Sequence, residues 1–180
     1  VDGTLYDNKN KKIHESTIKA LHKLKQNGHK LVIATGRGKF MLYSIEEVLP
    51  LIDHYVLING QQVIANHQII FEDAIDAQVV TNLVETMDAL GVIYGFESAT
   101  KEAVNVINDH VIQSFELLNL KVPPKNPTFH LEQNVYQMWC FCDEEKMDIL
   151  KQKHPEFQFL RWLTVGYDII KQGQSKAKGV

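Results

Sequence analysis

Three short stretches of this chain carry residue types that could work on an anion: Asp2-Gly3-Thr4-Leu5 at the start, Ile33-Ala34-Thr35-Gly36-Arg37 after the first helical segment, and Gly173-Gln174-Ser175-Lys176 near the end. In the first, Gly3 and Thr4 let the chain turn beside the Asp2 carboxylate so that backbone N–H groups can face an anion. In the second, Thr35 ends an apolar run, and the N–H of Gly36 stands near the start of the next helical segment. Open α/β sheets bind ligands at the carboxyl ends of their strands, and helix starts favour negative charge. Lys176 adds an ammonium group. A carboxylate that can pass a proton, donors for phosphoryl oxygens and positive charge are what phosphate-ester hydrolysis needs besides a nucleophile. Each stretch alone is also what an ordinary protein contains. Asp-Gly makes turns, Thr-Gly ends strands, Arg37 after a glycine suits a solvated side chain, and Lys171 and Lys178 compete with Lys176. Asn59-Gly60, closing a later apolar run, reads equally as a plain turn or as a border of the same site.

The elements that must position these residues follow from periodicity. Ile18, Leu21 and Leu24 lie at helical spacing over 16–27 and stop at Asn27-Gly28, a helix C-terminal cap. Leu31-Val32-Ile33-Ala34 is a continuous apolar run, as in a strand buried on both faces of a parallel sheet. A helix is expected over 39–49, then a buried strand at Tyr55-Val56-Leu57-Ile58. Strand, helix and strand in this alternation predict a doubly wound, Rossmann-like α/β core. Val63-Ile64-Ala65 and Ile69-Ile70-Phe71, separated by Asn66-His67-Gln68, predict a β-hairpin that adds antiparallel strands to that sheet. Residues 76–90 form an amphipathic helix through Val79, Val80, Leu83, Val84, Met87 and Leu90. Strands are expected over 92–96, 103–107, 135–142 and 157–162, with helices over 109–118 and 143–153 and a proline-rich loop at 122–127. This α+β stretch holds none of the three motif-like segments, so it reads as an inserted lid. The expected division is core 1–78, lid 79–165 and a return to the core at 166–180. Tyr94, Phe96, Trp139 and Trp162 are expected in the lid's core, and Glu97 to Lys101 or the loop 122–127 where a leaving group could be contacted.

The order and context of Asp2-Gly3-Thr4-Leu5, Thr35-Gly36-Arg37 and Gly173-Gln174-Ser175-Lys176 resemble the haloacid dehalogenase-like hydrolases, specifically the Cof-type sugar-phosphate phosphatases, over nearly the whole chain. The resemblance implies a phospho-aspartyl mechanism in which Asp2 is the acid/base and Val1 the spacer after a nucleophilic aspartate. It gives Gly3, Thr4, Thr35, Gly36, Arg37 and Asn59 to phosphate or substrate binding and Lys176 to charge neutralisation. It implies Mg2+ as cofactor, held in part by the backbone carbonyl of Asp2, with the other ligands before Val1 and after Val180. The stretch is therefore expected to be cut at both ends and inactive by itself. Because one helix and one strand fill the space between the first two motifs, the lid must enter after the second. That arrangement is like Cof-type phosphatases and phosphomannomutases rather than β-phosphoglucomutase-like enzymes. The function this implies is a phosphatase of small phosphorylated metabolites, sugar or cofactor phosphates. The alternatives are phosphomannomutase-like transfer and a non-catalytic phosphate-binding protein on the same fold.

Composition agrees with a small-molecule enzyme. With 44% hydrophobic residues the chain can bury a core, and a net charge of −3 without a Lys/Arg block gives no nucleic-acid surface. Cys140 and Cys142 alternate with Trp139 and Phe141 on one strand, share a face and have no second cysteine pair to build a zinc site with. Two unpaired cysteines suit a reducing, cytoplasmic compartment. There is no apolar run of the ~20 residues that a membrane span needs.

Overall fold

Glu15–Gln26 forms helix α1, with Glu15 in its first turn and Lys23 and Lys25 in its last, charges that complement the helix dipole. It closes in the expected cap, the N–H of His29 on the Leu24 carbonyl at 3.1 Å and that of Gly28 on the Lys25 carbonyl at 3.0 Å. The computed structural model describes residues 1, 3–7, 9–162 and 164–180. Strand β1, Val32–Ala34, runs parallel to β2, His54–Leu57, with Val32 opposite His54 and Ala34 opposite Val56. The start of β1 is tied to the end of α1 through Asp53, whose carboxylate accepts both Lys25 Nζ at 2.8 Å and the Leu31 N–H at 2.8 Å.

β3, Gln62–Ala65, and β4, Gln68–Glu72, make the expected antiparallel hairpin and complete a sheet in the order β1-β2-β3-β4. Its turn residues Asn66 and His67 both take left-handed backbone, at φ 49° and 64°, which matches the twist of tightly joined strands. Two expectations differ here. β1 is the edge of this sheet among the described residues and only Ile33 is buried, so its two faces are not both covered. Between β1 and β2 the chain runs as a 3₁₀-helical stretch, Lys39–Leu51, kinked at Ile45, rather than as a regular helix over 39–49. The Arg37 guanidinium draws the Met41 carbonyl toward itself at 3.2 Å, and Pro50 has no N–H to give a helical ladder. Met41, Leu42, Ile45 and Val48 are buried regardless.

A second unit is built on α2, Ala77–Ala89, capped by Asp76 Oδ1, which accepts the N–H of Gln78 at 2.9 Å and of Val79 at 3.3 Å. Its sheet is wholly antiparallel in the order β6-β5-β7-β9-β8. The strands are β5 Ile93–Glu97, β6 Glu102–Val104, β7 Gln137–Phe141, β8 Phe157–Arg161 and β9 Gly166–Lys171. Helix α3, Asp109–Leu117, precedes the proline-rich loop, and α4, Glu144–Lys153, lies between β7 and β8 in sequence. One sheet face carries Tyr94, Phe96, Met138, Cys140 and Ile169 into a core with Leu83 and Met87 of α2 and Met147 and Leu150 of α4. Cys140 and Cys142 are both in this core as free thiols, on one face as their spacing requires. Trp139 is buried on the opposite face, where its ring fills the space above Gly95, and Trp162 is only partly buried, 5.5 Å from the Phe141 ring.

The first unit comprises Val1–Glu72, Ile112–Val122 and Ser175–Val180, and the second Asp73–Val111 and Pro123–Gln174. This differs from the expected division at both ends. All of α2 lies in the second unit. β9 lies there too, between β7 and β8 in the sheet, so the chain rejoins the first unit at 175 and not at 166. Gly166 and Ile170 on one face of β9 are buried, and so are Tyr167 and Ile169 on the other, as in a strand with both faces covered. No helix among the described residues is long and apolar enough to cross a membrane.

Asp53 sits well below the usual carboxylate range, first because of its hydrogen bond from Lys25, then through the Leu31 N–H and Lys30. Its stabilising effect is present above the unfolded carboxylate value of about 3.9 and is lost as pH falls toward the depressed folded value. Asp53→Asn should lower the unfolding midpoint at pH 7, with the gap to wild type closing in acid. A pH series of thermal melts reads this, and a gap that is constant with pH counts against it. At Gly95 an added Cβ would collide with the Trp139 ring. Gly95→Ala should cost roughly 1–3 kcal/mol by overpacking, measured by denaturant unfolding.

Candidate functional site

Where β1 and β2 end, three segments meet inside the first unit. Thr35 is buried at the end of β1, its N–H on the Val56 carbonyl at 2.9 Å and its Oγ1 accepting the Arg37 N–H at 3.2 Å. Since that oxygen accepts from Arg37, the hydroxyl hydrogen remains available to another acceptor. The chain then passes through Gly36, where a Cβ would come within 3.1 Å of the Asn59 side-chain amide. Asn59 is buried against this turn, and its N–H reaches the Thr35 carbonyl at 3.1 Å. Ile58 donates its N–H to the Arg37 carbonyl at 3.3 Å. The turn after β1 and the turn after β2 are thus hydrogen-bonded to one another.

The second of these turns is strained. Ile58, Asn59 and Gly60 have φ of 49°, 52° and 94°, consecutive left-handed residues of which the first is β-branched. Non-glycine residues of this kind persist only where the surroundings hold them, at a cost of order 1–3 kcal/mol each. The Ile58 carbonyl is itself bound twice by Gln61, through its N–H at 3.0 Å and its Nε2 at 3.2 Å, and Gln61 is fully buried. Gly60 brings in the third segment, since a Cβ there would collide with the Ser175 carbonyl and lie 3.5 Å from Lys176 Cα. Ser175 caps the short helix α5, Lys176–Gly179, its Oγ accepting the Lys178 N–H at 3.3 Å. Gly179 lies against Val56 and Gly60. Lys176 is therefore anchored at its backbone while its side chain is exposed.

The expected site residues fare differently. Thr35, Gly36, Asn59 and Lys176 come together as described. Asp2, the expected acid/base and metal ligand, lies outside the described residues. The N–H groups of Gly3 and Thr4, expected to face an anion, are engaged in their own turn, on the Tyr6 carbonyl at 3.1 Å and the Val1 carbonyl at 3.3 Å. The Arg37 side chain is buried and donates to the Met41 carbonyl, to Ser44 Oγ at 3.4 Å and to the Leu118 carbonyl at 3.5 Å, so it supports the loop around the site. Of the competing lysines, Lys171 belongs to the second unit, where it pairs with Asp73 and donates to the Ala74 carbonyl at 3.2 Å.

Sequence does not single out Ile58 or Gln61, because nothing in an isoleucine predicts left-handed backbone. The adjoining Asn-Gly pair is the only signal. Glu97 and Ser98, expected near a leaving group, are buried in the second unit, Glu97 accepting Gln137 Nε2 at 3.0 Å and Ser98 donating to the Lys101 carbonyl at 2.8 Å. That unit also holds a cavity of about 240 Å³ lined by Ile75, Val80, His130, Gln133 and Val135, with no motif residue in its wall. Burial there pushes the His130 imidazole pKa down. Among the described residues no group of three or more His, Cys, Asp or Glu side chains is placed to hold a metal ion.

What the first-unit site offers a ligand is the Thr35 hydroxyl and a backbone-anchored lysine beside the carboxyl ends of two parallel strands. Its integrity should depend on Gly60. Gly60→Ala combines a left-handed φ with a backbone collision and should destabilise the fold by on the order of 2–4 kcal/mol. Denaturant unfolding checks this, and a loss below about 1 kcal/mol would show that the Ser175 segment can move away.

Known proteins resemble the chain over its whole length. The family model for haloacid dehalogenase-like hydrolases matches residues 1–180. The Bacillus subtilis (strain 168) protein named "Putative phosphatase YkrA" is 30% identical over 182 residues, an alignment spanning all of this chain and 69% of YkrA. A hypothetical protein of Geobacillus kaustophilus HTA426 has a crystal structure that matches with a TM-score of 0.89 at 33% identity, over 99% of this chain and 70% of that one. The HAD subclass IIB sugar phosphatase BT4131 matches with a TM-score of 0.88 at 28% identity, over 99% of this chain and 70% of its own. With the α/β fold of these relatives and a full-length match to the family model, the chain belongs to the haloacid dehalogenase-like hydrolases.

Proposed function

We propose that the full-length protein is a Mg2+-dependent phosphatase of small phosphorylated metabolites, with sugar phosphates as the first substrate class to test. The observation that carries this reading is the convergence of Thr35, Asn59-Gly60 and Ser175-Lys176 at the ends of β1 and β2. The sugar phosphatase BT4131 among the structural relatives supports the substrate class.

In this reading the Thr35 hydroxyl donates a hydrogen bond to a phosphoryl oxygen, and the Lys176 ammonium offsets the negative charge that gathers around phosphorus as the ester bond breaks. Asp2 gives its proton to the leaving alcohol oxygen, then removes one from the water that cleaves a phospho-aspartyl intermediate formed on the nucleophilic aspartate of the family motif. Mg2+, when bound, would supply further positive charge to the phosphoryl oxygens. The strained Ile58–Gly60 turn serves to hold Lys176 and Thr35 at the same end of the sheet.

Phosphate release from a panel of sugar and cofactor phosphates, with Mg2+ and with a chelator, tests this. Turnover should require Mg2+. Asp2→Asn should lower kcat by about 10²–10⁴-fold, and Lys176→Ala by about 10²–10³-fold. No release from any ester would overturn the reading, and transfer of the phosphoryl group to a sugar rather than water would replace hydrolysis by a mutase reaction.

A further inference from the structure

Residues 112–122 belong to the first unit although second-unit sequence flanks them on both sides. Named contacts make the attachment. α3 ends in a turn closed by the Asn119 N–H on the Glu116 carbonyl at 3.0 Å and the Leu120 N–H on the Phe115 carbonyl at 2.9 Å, with Asn119 at φ 52°. Tyr43 Oη donates to the Asn119 carbonyl at 3.3 Å and accepts the Lys121 N–H at 2.9 Å. The Lys121 ammonium stands 5.1 Å from the centre of the Tyr43 ring, within range of a cation–π attraction. Beside it, Arg37 Nη2 reaches the Leu118 carbonyl at 3.5 Å. The backbone of the same Arg37 donates to Thr35 Oγ1 and accepts from Ile58. One residue therefore shapes the anion-binding turn with its main chain and holds the Leu118–Lys121 turn with its side chain, which puts that turn within an arginine's length of the site.

We propose that Tyr43 is a positioning residue for substrate selection: with Arg37 it fastens the Leu118–Lys121 turn beside Thr35-Gly36, making that turn a wall against which a polar, hydroxyl-bearing leaving group is recognised. The proposal rests on the phosphatase reading. Tyr43 does not touch the phosphoryl group in it. The phenolic oxygen makes one bond as donor and one as acceptor to the turn, so removing that atom loosens the wall and leaves Thr35 and Lys176 as they are.

The test compares full-length wild type, Tyr43→Phe and Tyr43→Ala on glucose 6-phosphate and on p-nitrophenyl phosphate, whose flat aryl group has no hydroxyls to recognise. For Tyr43→Phe, KM for glucose 6-phosphate should rise roughly 3–10-fold, the worth of one hydrogen bond. Its kcat and the aryl-ester kinetics should stay within about twofold. Tyr43→Ala, which also removes the ring under Lys121, should show a larger rise of the same kind. Equal changes on both esters would indicate a general structural role and overturn the proposal, as would no change on either. Absence of turnover by wild type on every ester counts against the phosphatase reading instead. In that case the proposal is decided by thermal shifts with glucose 6-phosphate against inorganic phosphate. An extra shift from the sugar in wild type that Tyr43→Phe loses supports it, and the same shifts in both proteins sink it.

Discussion

Ile58, Asn59 and Gly60 run through left-handed backbone that a β-branched residue avoids, and the rest of the site hangs on that turn. The N–H groups of Asn59 and Ile58 are held by the carbonyls of Thr35 and Arg37 from the neighbouring strand end. The strain has a geometric consequence. A backbone bent in this way brings Gly60 against the Ser175 carbonyl, and only a residue without a side chain lets that approach happen. The parallel pairing of β1 with β2 aligns the two strand ends, the left-handed turn joins them, and α5 seats on the result with Lys176 at its first position.

The surrounding polar groups are arranged to hold backbone more than to present charge. Arg37 directs its guanidinium to carbonyls, Gln61 binds the strained turn through the Ile58 carbonyl, and Asp53 couples the end of α1 to the start of β1. Buried donors and acceptors of this kind cost more when left unsatisfied than they contribute when paired, so each fixes a local geometry that an apolar side chain would leave open. Thr35 Oγ1 and the Lys176 side chain then inherit their positions from the main chain.

The second unit follows a simpler rule. One face of its antiparallel sheet is apolar and packs with α2 and α4, and alternation along β5 and β7 sends Tyr94, Phe96, Met138 and Cys140 into that core. On the other face Gly95 is paired with Trp139, and the large ring occupies the space that glycine leaves.

Read alone, the chain's residues were enough to give the family pattern, the α/β class, α1 with its cap, the hairpin and most strands of the second unit, because those depend on local periodicity and on turn residues of restricted backbone. They also marked Thr35, Gly36, Asn59 and Lys176, the first three by their place at the ends of apolar runs. Long-range packing settled what local pattern cannot carry. It placed β9 between β7 and β8, gave the Arg37 guanidinium the Met41 and Leu118 carbonyls to bind, and drew residues 112–122 into the first unit. Most of those outcomes are set by a partner far away in the chain. A residue's neighbours in sequence fix its backbone preferences, but whether its donors meet a carbonyl, a ligand or water depends on which distant segment packs beside it.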